Sequence, residues 1–324
     1  MSTPILEITG LSVGYRASRG TVRALHDVNL AVPRNRVVGI VGESGCGKST
    51  LIATVLGLLA PNAVVAGGRI AFEGEDLLAV SDARWREIRG PRIATVFQDP
   101  MTALNPVLSI ATQMRDIQYR DAIGATEKRA RAVAILTRVG IPDAGERIDG
   151  YAHQFSGGMR QRIAIAMALL MRPALLIADE PTTALDVTLE AQIVHLLRSL
   201  RQEIDGSILF VSHNLGLIAE LCDEVVVMYA GEVVEHAPVR ALFHAPRHPY
   251  TRLLLECDPA RVPDGTGLLP TIGGQIPDLT SPPAGCVFAP RCPDALAACA
   301  LAPPVLTVGP LHDVRCVRAV RAGR

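Results

Sequence analysis

The chain has 324 residues, 49% of them hydrophobic, with 32 basic and 32 acidic side chains and a formal net charge of zero. That length allows one large domain, or one domain with a smaller companion, and the apolar content supplies ample core. The balanced charge argues against a broad basic surface with nucleic acid as partner, and the longest wholly apolar run, Ile163–Met171, is too short to span a bilayer.

Residues 1–35 carry short β-rich runs, Ile5–Ile8, Val22–Leu25 and Val28–Val32, which predict an antiparallel flap. The N-terminus has no basic start and Glu7 interrupts it, so no export signal is expected and any membrane role runs through a partner. An apolar run, Val37–Val41, leads into Gly42-Glu43-Ser44-Gly45-Cys46-Gly47-Lys48-Ser49-Thr50, followed by a helix-like stretch, Leu51–Leu59. The pattern G-x-x-x-x-G-K-[ST] between a strand and a helix is a phosphate cradle. Its glycines let successive backbone N–H groups curl around an anion, and the helix points its positive end at the same place. Lys48 reaches the β- and γ-phosphates, and the Ser49 hydroxyl helps hold Mg²⁺. The segment therefore predicts binding of a nucleoside triphosphate. Cys46 sits at a variable position of the loop and reads as filler.

A buried strand is expected at Ile93–Phe97, then helix over 109–140. Ser156-Gly157-Gly158 precedes a helical run, Met159–Met171, stopped by Arg172-Pro173. Ser156 is a natural N-cap, and the two glycines let backbone N–H groups approach an anion, a second phosphate-binding helix start far from the first. From 173 to 236 strand candidates Leu175–Ala178, Ile208–Val211 and Val225–Met228 alternate with helix-length segments, which predicts a mostly parallel sheet covered by helices. Glu232–Glu235 follows the Ala230-Gly231 turn and is expected to pair back as a hairpin. From about residue 258 prolines punctuate the chain and periodic runs vanish, which reads as a small irregular appendage in need of a staple.

Leu175–Ala178 ends in Asp179-Glu180, and because side chains alternate along a strand the two acids face different surroundings. Asp179 suits Mg²⁺ coordination; Glu180 suits orienting and deprotonating an attacking water. Gln98, after the strand ending at Phe97, can sense Mg²⁺ or the water, though it also reads as a polar loop residue. His213 follows Ile208–Val211 at the carboxyl edge of a strand, where ligands collect in open α/β folds.

Loop, Gln98, FSGGM, acid pair, TALD at 183–186 and His213, in that order, resemble the ATP-binding cassette family over roughly residues 4–256. The resemblance implies a P-loop ATPase fold: a RecA-like, mostly parallel sheet, an antiparallel β flap and a helical subdomain near 99–172. Residues 1–256 then form the nucleotide-binding domain and 257–324 a C-terminal extension. The resemblance further implies that two such domains close head-to-tail on two ATP molecules, and that closing moves attached membrane subunits. On that pattern Ser156, Gly157, Gly158 and Met159 form the signature that meets the partner's ATP, Asp186 bridges the halves, and Ser49, Gln98 and Asp179 hold Mg²⁺. Tyr15 occupies the place of the family's adenine-stacking aromatic, or is simply a packed tyrosine. Phe155 stands where the family usually has Leu, and Met159 where it usually has Gln.

Three stretches narrow the resemblance to the peptide/nickel import group, D-type subunit: QDPMTALNP at 98–106, FSGGMRQR with DEPTTALDVT, and RHPYT at 247–251. This implies two permease subunits, a companion F-type ATPase, an extracytoplasmic binding protein and a place on the cytoplasmic face of the membrane. Nickel, glutathione or another small solute stays open as cargo, and a soluble cassette ATPase without permeases is the rival class. Cys286, Cys292, Cys299 and Cys316 crowd the appendage without the close C-x₂₋₄-C pairs of structural zinc sites. Four thiolates can hold zinc or an iron–sulfur cluster, or remain ordinary reduced cysteines. The spacing resembles that of D-type subunits that carry a [4Fe–4S] cluster.

Overall fold

The computed structural model describes residues 3–18, 20–99, 103–182, 187–201, 206–258 and 270–319. The chain divides into two units, Met1–Ala79 with Phe210–Arg324, and Val80–Leu209, passing from the second back to the first within the buried strand Ser207–Val211.

In the first unit the strand Val37–Val41 is buried at every position and lies parallel to Glu224–Tyr229, with Val38 opposite Glu224 and Val41 opposite Val227. Both runs are almost wholly apolar, as a strand covered on two faces requires. The helix Leu215–Leu221 presses so closely on this strand that a Cβ at Gly39 would lie 2.8 Å from the Ile218 side chain. Ala230 and Gly231 both take positive φ, 49° and 84°, and turn the chain into the antiparallel strand Glu232–Pro238, as the hairpin expectation had it. Two positive-φ residues are what a two-residue hairpin needs to match strand twist.

The flap is longer than the three short runs predicted. Leu6–Ala17 and Gly20–Val32 pair antiparallel through register shifts, and Ala63–Phe72 lies along the other edge of Leu6–Ala17. This last strand went unforeseen because Gly67-Gly68 breaks its pattern and most of its first seven residues are exposed. The appendage is also more ordered than its prolines suggest. Its strands Leu306–Gly309 and His312–Val314 pair with each other, and the second adds to Glu232–Pro238 with Glu235 opposite Val314. Phe288 packs into a ring cluster with Tyr229 and Tyr250, centroids 4.7–5.3 Å apart, all three fully buried. Such a cluster supplies the core that the appendage lacks in its own sequence.

In the second unit Ile93–Val96 lies parallel to Leu175–Asp179, Val96 opposite Ala178. Around them run the helices Asp82–Ile88, Ile110–Ile117, Ala125–Arg138, Gly157–Leu170 and Val187–Arg201. The helical expectation for 109–140 resolves into two helices. The first ends at Ile117 and the second starts from Gly124 as N-cap. Their apolar faces meet the helix Gly157–Leu170 in a core of Ile110, Met114, Ala132, Leu136, Phe155, Ile163 and neighbours.

Candidate nucleotide site

The phosphate loop follows the end of Val37–Val41 and relies on positive φ at Gly42 (155°), Gly45 (80°) and Gly47 (107°). A Cβ at Gly47 would sit 2.8 Å from the Ala24 carbonyl oxygen, so glycine is required there for space as well as for φ. Gly47 also caps the helix Lys48–Val55. Lys48 is 7% exposed, and its ammonium donates to the carbonyl oxygens of Gly42 (2.7 Å) and Glu43 (3.3 Å), which folds the cation into the loop's own curve. Ser44, Gly45 and Ser49 are exposed, so the outward side of the loop is polar. Thr50 lies on the first helical turn, where its hydroxyl accepts from Tyr15 Oη at 3.4 Å, placing the flap tyrosine beside the helix start. Cys46 is buried, and burial pushes its thiol pKa up. A buried protonated thiol is inert, in keeping with a filler position.

His213 is exposed on the short link after Ser207–Val211. Ser212 N–H donates to the Ile40 carbonyl at 3.2 Å, beside the strand that feeds the loop. Asn214 caps the next helix by accepting from Gly216 and Leu217 N–H. The imidazole is thus carried on a link pinned at both sides.

In the second unit Gln98 and Glu180 follow the ends of the two parallel strands, and Gln98 Nε2 donates to Glu180 Oε2 at 3.2 Å. Glu180 holds φ = 45°, a left-handed conformation that a residue with a Cβ adopts at a cost and that gathers at functional sites. Asp179 is the last residue of its strand and is half-buried. Gln98, donating through nitrogen, keeps its carbonyl oxygen as the atom suited to a hard cation.

The Ser156 side chain accepts from Met159 N–H at 3.4 Å and caps the helix Gly157–Leu170, as expected from the sequence. Ser156 and Gly157 are exposed, and a Cβ at Gly157 would meet nothing within 4 Å. Gly158 is buried, and Met159 packs on the helical core beside Phe155. Phe155 fills that core and receives the Arg147 guanidinium over its ring at 5.0 Å, so the departure from Leu is absorbed by packing. Asp186, with the rest of 183–186, lies outside the described residues.

Sequence reasoning missed the groups that reach the phosphate loop from the far end of the chain. The Arg291 side chain is 4% exposed and grips Glu43 with two nitrogens, at 2.7 and 3.1 Å. It also donates to Tyr229 Oη at 3.2 Å and to the carbonyls of Gly273 and Ile272 at 2.9 and 3.0 Å. Glu43 N–H donates to Tyr250 Oη at 3.0 Å. RHPYT thereby acquires a physical meaning: His248 caps the helix Pro249–Glu256 through Nδ1, which accepts from Tyr250 N–H at 3.1 Å, and Pro249 suits the first helical turn. Arg247 and His248 N–H both donate to the fully buried Glu235 carboxylate, which also pairs with His312 at 2.8 Å. Burial pushes the Glu235 pKa up, but the His312 and backbone hydrogen bonds outweigh it and leave it below the usual carboxylate range. No local signal marks a contact 248 residues apart.

Cys286, Cys292, Cys299 and Cys316 line one cavity with His248, Phe288 and Asp294. Gly285 admits no Cβ, because the backbone of Cys299 and Ala300 presses on it, and Cys286 N–H donates to Cys299 O at 2.9 Å. Burial pushes the Cys286 thiol up to about 11 and raises Cys292 and Cys316. Among the described residues no group of three or more His, Cys, Asp or Glu side chains is gathered closely enough to hold a metal ion.

The ABC transporter family matches residues 25–183, and the oligopeptide/dipeptide transporter C-terminal region matches residues 234–299. The dipeptide transport ATP-binding protein DppD of Bacillus subtilis (strain 168) is 45% identical over 315 residues, 96% of this chain and 94% of that protein. Among solved structures, cbiO1 from Clostridium perfringens, part of the ABC transporter complex cbiONQ, superposes with TM-score 0.65 at 31% identity, over 75% of this chain and 92% of that one. The ATP-binding cassette MJ0796, a dimer bound to ADP and Pi, gives 0.64 at 27% identity over 72% and 99%. The fold is that of an ATP-binding cassette. The chain belongs to the ABC transporter family, in the branch that carries the oligopeptide/dipeptide transporter C-terminal region.

Proposed function

We propose that this chain is the ATP-hydrolysing subunit of an importer that takes di- and oligopeptides across the cytoplasmic membrane. The observation that carries the ATPase reading is the Gln98–Glu180 hydrogen bond after the ends of two parallel strands, with Glu180 in a left-handed conformation. Support for peptide cargo comes from the C-terminal region at 234–299 and the 45% identity to a dipeptide transport protein. Lys48 and the loop amides neutralise the β- and γ-phosphates. Glu180 accepts the proton of the attacking water, His213 orients it at the γ-phosphate, and Gln98 holds Glu180. Ser49, Gln98 and Asp179 offer the hard oxygen set that suits Mg²⁺, which supplies charge neutralisation when bound. Tyr15 stacks on the adenine. Ser156, Gly157, Gly158 and Met159 meet the ATP of a companion F-type cassette, and Asp186 joins the halves, so ATP contacts the closed pair more than the open one.

No described helix is long and apolar enough to cross a membrane. Attachment runs through two permease subunits, with an extracytoplasmic binding protein delivering cargo. Exposed Val107 (77%) and Tyr119 (62%) in the helical segment support such a partner surface. The domain division we adopt is 1–256 for the cassette and 257–324 for the extension. Affinity purification of the tagged chain from membranes is expected to bring down two integral membrane proteins and a second cassette ATPase. Recovery of the chain alone, with ATP turnover undiminished, would sink the importer reading.

The reading of the C-terminal cysteines as iron–sulfur ligands, and not zinc ligands, rests on their spacing, which has no close C-x₂₋₄-C pair. Four thiols lining one cavity supply the donor set that an iron–sulfur cluster needs. A [4Fe–4S] cluster would be held by Cys286, Cys292, Cys299 and Cys316 and serve as a structural staple. Anaerobically purified protein is expected to be brown and to carry about four irons per chain, the content of one such cluster; colourless, iron-free protein would remove the cluster.

A further inference from the structure

We propose that Arg291 is a positioning residue for ATP binding: it neutralises and holds aside the Glu43 carboxylate of the phosphate loop. The inference rests on the nucleotide-binding reading above and assigns its extra control to the C-terminal extension. A carboxylate two residues into a phosphate cradle opposes the anion that the cradle is built to receive. Here that charge is met by an arginine whose side chain is 4% exposed and whose guanidinium forks onto both carboxylate oxygens, the geometry in which an arginine–carboxylate pair is strongest. The same arginine also donates to Tyr229 of the cassette and to the Gly273 and Ile272 carbonyls of the extension, so groups outside the loop hold it in place. Tyr250 takes the Glu43 N–H, so the first peptide of the cradle is held by the helix Pro249–Glu256 as well.

The arrangement also ties the loop to the cysteine cavity. Arg291 closes the short helical turn Ala289–Arg291, whose backbone is bonded at both ends to cysteines: Ala289 N–H donates to Cys286 O, and Cys292 N–H to Ala289 O. Arg315, the residue before Cys316, pairs with Asp27 of the flap at 2.7 Å. Two arginines that reach the cassette thus each precede a cysteine of the set, so the packing around the cavity fixes the guanidinium that meets the loop.

The test is equilibrium titration of the full chain with a fluorescent mant-ATP analogue and Mg²⁺. Arg291→Ala is expected to weaken binding on the order of tenfold, the effect of one uncompensated charge roughly 10 Å from the phosphates at an effective dielectric near 20. Arg291→Lys, which keeps the charge, should stay near wild type. Adding Glu43→Gln to Arg291→Ala should restore most of the affinity, because the charge that Arg291 neutralised is gone; a merely structural arginine would not be rescued this way. Should Arg291→Ala fail to fold by circular dichroism, Arg291→Gln keeps donors for the two carbonyls, drops the charge and carries the same test. Binding within twofold of wild type in the charge-removing variant, or a double variant as weak as the single one, overturns the proposal. Failure of the wild-type chain to bind the analogue would instead sink the nucleotide-binding reading beneath it.

Discussion

At Glu180 the backbone and the side chain carry separate information. A φ of 45° at a residue with a Cβ costs about 1 kcal/mol or more, and the fold sustains it while the side chain keeps its hydrogen bond to Gln98. Glu180→Gln preserves size and that bonding position but removes the carboxylate proposed as the base. In the assembled transporter we expect it to lower ATP turnover by about 10²–10⁴-fold, with ATP binding kept and the closed pair accumulating. Phosphate release within a few-fold of wild type would dismiss Glu180 as the base. The position of this residue was legible as an acid following an apolar strand. Lys48 and the loop glycines were legible for a similar reason, since Gly42 and Gly47 sit where backbone and side chains of distant strands leave no room for a Cβ. Arg291 was not legible: nothing in its neighbours distinguishes it from the other arginines, and its role exists only through a fold that brings it to Glu43.

The helix Pro249–Glu256 shows how an element can lock a distant loop. Its cap is a histidine that must be neutral, because Nδ1 accepts from Tyr250 N–H. Burial lowers the His248 pKa from 6.5 to about 4, partly opposed by the Glu235 charge. The unfolded chain therefore binds the proton first on acidification. Stability contributed by neutral His248 is present above the unfolded value of 6.5 and falls as pH drops toward about 4. A shift of that size corresponds to about 3 kcal/mol. His248→Asn keeps a capping acceptor and has no proton to gain, so its urea midpoint should fall much less than wild type between those pH values; equal pH dependence in the two proteins would clear His248 of the effect. The element also explains what the sequence could not tell. RHPYT was readable as a family mark but not as a helix start, and its tyrosine's bond to the phosphate loop depends on the ring cluster with Tyr229 and Phe288.

For the whole molecule, periodic apolar runs located the strands Val37–Val41, Leu175–Asp179, Ser207–Val211 and Glu224–Tyr229 to within a residue or two. Strands with an exposed face were harder. Ala63–Phe72 hides behind two glycines, and Leu306–Gly309 and His312–Val314 are too short for alternation to register. Those last two strands have a consequence beyond the site. By pairing with Glu232–Pro238, His312–Val314 occupies backbone groups that an open border would offer to any stray polypeptide. The border passes instead to Leu306–Gly309, four residues that finish in glycine. The tail thus acts as a hem, and a subunit that must wait for its membrane partners carries its own guard against sticking to its siblings.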